Sequence, residues 1–287
     1  MTASAEPMSN GDQNLDAATV DGFGREWQRF DQMGAPESEL GRVFDLYFEL
    51  FPWEQLPPAA VGFDAGCGSG RWARFVAPIV GMLHCVDASS EALEIAQRAL
   101  AGQPNCVFHN VSVAAMPFEP GTMDFGYALG VLHHLPDPAA GLRACVRVLR
   151  PGAPLLIYVY YALDARPWWY RSLWRVSDLA RRGIARLPHQ VQYLLSDLVA
   201  GLVYWPLARA SLLLDRAGRR LDNVPLAAYR HAAFYTMRTD AFDRLATRLE
   251  RRFTADQVRT MMLDAGLRDV SLSQDFPYWS AIGFRAE

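Results

Sequence analysis

The stretch from Val61 to Val76, VGFDAGCGSGRWARFV, constrains the fold more than any other. An apolar run ends at Asp64. Glycines follow at alternate positions (Gly66, Gly68, Gly70), and a helical pattern begins after them. A buried strand that turns through glycines into a helix is a building unit of a parallel α/β sheet. Ligands of such sheets sit beyond the carboxyl ends of the strands. Glycine suits that turn because a Cβ would hold a ligand away from the backbone N–H groups.

The unit repeats along the chain. AVGFDAG reads as a strand and SGRWARFVAPIV as the helix after it. MLHCVDAS is a second strand, and SEALEIAQRALAG a helix closed by Gly102. CVFHNVSV and TMDFGYALGVL are the third and fourth strands, PDPAAGLRACVRVL a helix, and RPGAPLLIYVYY a turn and fifth strand. Repeated β-α-β units imply a parallel sheet with right-handed crossovers and helices on both faces. From Ala162 to Phe253 only helical or loop periodicities occur. TADQVRTMMLDAG then reads as a helix with Thr254 as N-cap, and LRDVSLSQDF and YWSAIGFRA as two last strands. The domain expectation is a core of residues 22–161 and 254–287, interrupted by a helical insertion, 162–253. Residues 1–21 are polar, without the apolar segment of a signal peptide, and are expected to form a disordered tail.

Composition narrows the function. A chain of 287 residues that is 51% hydrophobic suffices for one large α/β domain with an insertion. Net charge is −3, so nucleic acid is not an expected partner. All 28 basic residues are arginine, which excludes a lysine nucleophile or Schiff base. The insertion holds 16 arginines against 8 acids, and the rest of the chain 12 against 23. Cys67, Cys85, Cys106 and Cys145 have no CxxC spacing, and no His/Cys cluster suggests zinc. They read as free thiols of a cytoplasmic protein.

Asp87 ends the second strand, 21 residues after Gly66. A carboxylate there can accept two hydrogen bonds from a ribose diol, so glycine loop and acid together signal an adenosine ligand. Dinucleotide loops read GxGxxG and set pyrophosphate on a helix N-terminus. Here the motif is DxGxGxG. Asp64 would repel pyrophosphate and favour an α-ammonium group, which points to S-adenosylmethionine.

The chain resembles the class I S-adenosylmethionine-dependent methyltransferases, in particular the small-molecule branch that includes ubiquinone and menaquinone methyltransferases. DAGCGSGRWA resembles the family's first motif and VDASSEALEIA its second. AAMPFEPGTMDFGYALGVLHHLPDP and RVLRPGAPLLI resemble its later segments. The resemblance implies a Rossmann-like, seven-stranded, mostly parallel sheet with an antiparallel last strand and the insertion after strand five. It places Gly66 against the methionine moiety and Asp87 on the ribose. Asp64, Gly68, Gly70, Ala88, Val113 and Gly130 complete the expected cofactor set. The family usually has an acid beside the adenine where this chain has Ser112. Ser112 could instead accept from the adenine amino group.

On the acceptor side, His133 and His134 follow the fourth strand and are the candidate bases, since histidine titrates near neutral pH. Tyr160 and Tyr161 end the fifth strand, and Trp27 lies in FGREWQRF, a candidate cap over the cofactor. No DxD or HxH pattern suggests a metal. In the insertion, Trp169, Leu173, Val176, Ala180, Ile184 and Leu187 share one helical face. VQYLLSDLVAGLVYWPLARASLLL is more apolar, but Asp197, Pro206 and Arg209 interrupt it, which argues against a membrane span. Three readings of the insertion stand: a lid that forms the acceptor pocket with Trp169 and Trp205, an interfacial helix pair on a membrane surface, or a homodimer interface. The expected function is methyl transfer to a small, apolar or aromatic acceptor in biosynthesis, with O-methylation first. The alternatives are a lipid- or polyprenyl-linked acceptor, and a cofactor-binding pseudo-enzyme or assembly factor.

Overall fold

The computed structural model describes residues 14–32, 34–164, 166–273 and 278–287. Seven strands form one sheet: β1 (Val61–Ala65), β2 (Met82–Asp87), β3 (Cys106–Asn110), β4 (Phe125–Leu129), β5 (Pro154–Tyr160), β6 (Leu267–Leu272) and β7 (Tyr278–Arg285). Their spatial order is β3-β2-β1-β4-β5-β7-β6. β1 to β5 run parallel, and β7 is antiparallel to both neighbours. The topology switches at β1, so the turns after β1 and β4 open onto one crevice.

Both sheet faces are covered, which is why the central strands read as unbroken apolar runs. One face packs Phe63, Leu155 and Ile157; the other packs Phe125, Tyr127 and Leu156. Gly62 pairs with Phe125, and Phe63 with Gly126. A Cβ on Gly62 would lie 2.3 Å from the Phe125 ring, and one on Gly126 2.2 Å from Phe63. Each phenylalanine thus fills the space its neighbour's glycine leaves.

The helices are α1 (Ala17–Arg29), α2 (Glu37–Tyr47), α3 (Ala73–Val76), α4 (Ser90–Ala99), α5 (Pro138–Val148), α6 (Trp168–Ile184), α7 (His189–Val199), α8 (Trp205–Arg216), α9 (Phe234–Ala246) and α10 (Ala255–Asp264). Thr254 caps α10 in a capping box with Gln257. Two expectations change. The helix after the glycine loop is a single turn, because Pro78 lacks an N–H and the chain tightens into a 3-10 turn at Ala77–Ile79. The expected tail is shorter. Asp16 caps α1 through Thr19 N–H at 2.8 Å, so residues 17–21 are helical, while 1–13 lie outside the described residues. The end of LRDVSLSQDF beyond Ser273 also lies outside them.

The insertion enters and leaves the core at one place. Phe253 N–H donates to the Tyr160 carbonyl at 2.9 Å, and Ala162 N–H to the Phe253 carbonyl at 2.8 Å. A π-helical segment, Ala200–Tyr204, joins α7 to α8 just ahead of Pro206, whose missing N–H an ordinary α-helix would need. The continuous helix His189–Arg216 is long and apolar enough, by length and composition, to cross a membrane. This corrects the expectation that Asp197, Pro206 and Arg209 interrupt it. Asp197 pairs with Arg29 and Arg238, each at 2.9 Å, and Arg209 donates to the Ala232 carbonyl, so both charges turn toward the protein.

Candidate active site

β2 delivers Asp87 to the crevice, and the backbone of the glycine loop closes on it. Gly68 N–H donates to Asp87 Oδ2 and Ser89 N–H to Oδ1, both at 2.9 Å. Burial pushes the Asp87 carboxyl up, while these N–H groups pull it back down. A carboxylate offers about four lone-pair positions. Both oxygens therefore keep capacity for a diol.

The loop itself is tied down by Gly66 and Cys67 N–H, which both donate to the Val86 carbonyl. Gly66 has φ +75°, and a Cβ there would lie 2.2 Å from Val131. A Cβ on Gly68 would lie 3.0 Å from the Trp27 ring, which places α1 over the loop as a cap. Arg71 in turn packs on Trp27 and Trp72.

A cavity of about 1100 Å³ runs from this loop to the insertion. Of the residues singled out in the sequence, Gly66, Gly68, Asp87, Ala88, Val113, Gly130, Trp27, His134, Tyr160 and Tyr161 line it. Asp64 sits behind the loop between Cys85 and Tyr127, and burial pushes its carboxyl well above the usual carboxylate range. Gly70 packs on α4 against Leu100 and Ala96. Ser112 is buried and accepts from Ala114 N–H at 3.1 Å, which occupies it in a local turn.

The two histidines part company. His133 is fully buried, its ring 4.1 Å from Tyr160, and neither ring nitrogen has a hydrogen-bond partner among the described residues. Burial, with His134 and Arg252 nearby, holds it well below the ordinary histidine range and therefore neutral. His134 reaches the cavity. Its Nδ1 donates to the Leu249 carbonyl at 2.7 Å, which in the neutral ring leaves Nε2 as the acceptor.

Trp169 and Trp205, expected in the acceptor pocket, instead lie on the outside of the insertion. The helices turn the opposite face inward, and from α6 it is Tyr170 and Trp174 that reach the cavity.

Sequence reasoning missed the acids of the far wall. Glu26 of α1 is buried, and burial with Asp243 and Asp240 nearby pushes its carboxyl well up against the pull of Arg71. Asp240 of α9 is pushed up to about 6, mainly by burial. Tyr160 donates to Asp243 Oδ2 at 2.7 Å. The signal for Glu26 was an acid between apolar and aromatic neighbours on the cap helix. Asp240 and Asp243 had none, because only the fold brings α9 over the crevice. Among the described residues, no group of three or more His, Cys, Asp or Glu side chains is placed to hold a metal ion.

The comparisons fit this geometry. A family profile described as a methyltransferase domain matches residues 63–157. A ubiquinone biosynthesis O-methyltransferase of Albidiferax ferrireducens is 33% identical over 127 residues, covering 39% of this chain and 50% of its own. One from Xanthomonas axonopodis pv. citri is 25% identical over 234 residues, covering 79% and 92%. The chain spans about half the length of the first curated relatives it matches. Among solved structures, magnesium protoporphyrin IX methyltransferase from Synechocystis, with bound S-adenosylmethionine, aligns with a TM-score of 0.50 at 14% identity, covering 95% of this chain and 98% of that one.

Over residues 63–157 the chain is similar to a methyltransferase domain.

The matched stretch of that methyltransferase domain begins at Phe63 in β1 and ends at Ile157 in β5. It holds Gly66, Gly68, Asp87, Val113 and Gly130, which line the glycine-loop end of the cavity. The α1 cap, Tyr160 and the whole insertion lie outside it. The matched segment therefore covers the glycine-loop end of the cavity, and the other end lies beyond it.

Proposed function

We propose that this protein transfers a methyl group from S-adenosylmethionine to a small, apolar or aromatic hydroxyl acceptor in a biosynthetic pathway. One observation supports this most: a single cavity joins the Asp87–Gly68 loop to a wall of Tyr158, Tyr160, Tyr229 and Asp240. The cofactor fits the residues present. Gly66 and Gly68 leave a cradle that Cβ atoms would fill, and Asp87 keeps lone pairs for a ribose diol. Bound there, S-adenosylmethionine supplies an electrophilic methyl group on a sulfonium.

The protein's own part is to hold, orient and deprotonate. Enclosure of both partners in one cavity raises effective concentration, and well-oriented reactions reach about 10⁵ M or more. Aromatic walls suit an apolar ring. Asp240 takes the acceptor proton. At about 6, its pKa leaves it ionised at neutral pH yet more basic than an ordinary carboxylate. His134, anchored to the Leu249 carbonyl, shapes the wall between the two ends. The free cysteines suit a reducing cytoplasm.

The test is transfer of labelled methyl from S-adenosylmethionine to a panel of phenols and catechols. Turnover with release of S-adenosylhomocysteine supports the reading. Binding of S-adenosylmethionine without turnover on any acceptor would favour a cofactor-binding assembly role.

A further inference from the structure

The insertion's helices are folded inside out. α6 buries Asp178 and Arg181, paired at 2.8 Å, with Arg181 also donating to the Thr247 carbonyl. Its opposite face presents Val176 and Leu179, 69% and 73% exposed. The α7–α8 helix repeats the pattern. Gln192, Ser196 and Ser211 are buried, while Leu194, Leu202 and Leu213 are 60%, 73% and 66% exposed. A helix on a water-facing surface normally does the reverse. Here ion-paired, polar and small side chains pack inward beside the aromatic Tyr170, Trp174 and Tyr204, and most of the large aliphatic ones face out.

We propose that the outer faces of α6 and α7–α8 dock on the surface of a phospholipid bilayer with anionic headgroups. Charge selects this occupant over a second copy of the chain. From Trp168 to Arg216 the acids are Asp178, Asp197 and Asp215; Asp178 and Asp197 are turned inward into ion pairs, and the exposed Asp215 at the end of α8 is paired with Arg230. Arg171, Arg175, Arg182 and Arg186 are exposed beside the apolar stripe of α6. Two copies meeting on this face would bring like charges together, whereas anionic headgroups neutralise them. Trp168, Trp169 and Trp205, all exposed, have the amphipathic rings that settle at a headgroup boundary. The helices thus have the composition of an interfacial element: an apolar face, basic flanks and indoles. α6 also contributes Tyr170 and Trp174 to the cavity wall, so one helix separates the acceptor site from the lipid face.

The experiment is flotation of the full chain with phosphatidylcholine vesicles, with and without phosphatidylglycerol. The protein is expected to float with the phosphatidylglycerol vesicles. The double variant Leu179→Glu/Leu202→Glu should bind them about a hundredfold more weakly, since two apolar anchors become charges. Both sites are exposed, so its circular dichroism and melting should match the parent. Arg171→Glu/Arg175→Glu should lose the preference for phosphatidylglycerol. No flotation with either vesicle, or flotation of Leu179→Glu/Leu202→Glu equal to the parent, would overturn the proposal. So would a vesicle-free dimer in sedimentation that the same double variant converts to monomer, because a second copy would then cover this face.

Discussion

Tyr160 donates its phenolic hydrogen to Asp243 Oδ2 across 2.7 Å, joining the end of β5 to α9 of the insertion. The two residues are 83 positions apart. The bond ties the insertion to the carboxyl end of the parallel strands. Tyr160→Phe removes it but leaves Asp243 accepting from Thr247 Oγ1. The expected outcome is a stability loss of about 1–2 kcal/mol, the scale of a hydrogen bond to a charged group. The acceptor KM should rise while S-adenosylmethionine affinity stays unchanged, as thermal melts, steady-state kinetics and calorimetry would show.

Asp240 gives a pH signature. Its carboxyl titrates near 6 in the folded protein, against 3.8 ordinarily. Activity on a phenolic acceptor should therefore rise with pH through about 6, and Asp240→Asn should lose about 10²–10⁴ in kcat with cofactor binding intact. The stability sign follows from linkage. Between about pH 4 and 6 the folded state holds the proton more tightly than the unfolded state, so this group's contribution to stability falls as pH rises. At neutral pH Asp240→Asn should be the more stable protein, by at most about 3 kcal/mol, and the gain should vanish near pH 4. A stabilised but inactive variant fits the role of a base held in an unfavourable site. Equal melting of parent and variant at both pH values would remove it.

Gly66→Ala tests the loop. The substitution meets Val131 and requires a left-handed φ of +75° from a residue with a Cβ. A destabilisation above about 1 kcal/mol is expected, with loss of S-adenosylmethionine binding even where the variant remains folded. Denaturant unfolding paired with calorimetry separates the two effects.

Trp169→Ala and Trp205→Ala test the orientation of the insertion. Both indoles are well exposed, so each variant should melt within about 0.5 kcal/mol of the parent and bind S-adenosylmethionine equally well. A large loss of stability in either would mean that these side chains are packed.

The core was legible because its physics is local. The apolar run of β1, the glycines after it and Asp87 at the end of β2 each announce their place within about twenty residues. Pro78 shortened α3 although the apolar pattern ran on to Val80, since periodicity does not register a missing N–H. The insertion was legible as helices but not in orientation. Trp169, Leu173 and Val176 mark an apolar face, and a period of 3.6 says nothing about whether that face meets protein or something else. The acids of the far wall were hidden for a related reason. Asp240 gains its meaning from burial opposite Arg71 and Tyr229, a contact made only when α9 folds over the crevice.

The central claim is that Asp87 and the glycine loop hold S-adenosylmethionine. The most direct measurement is calorimetric titration of S-adenosylmethionine into the parent protein and into Asp87→Ala, each first shown by its melt to be folded. The parent should bind, and the variant should bind more weakly by about 1.5–3 kcal/mol, roughly ten- to hundredfold, because the ribose loses a charged acceptor. A parent that does not bind, or a folded Asp87→Ala variant with unchanged affinity, would contradict it.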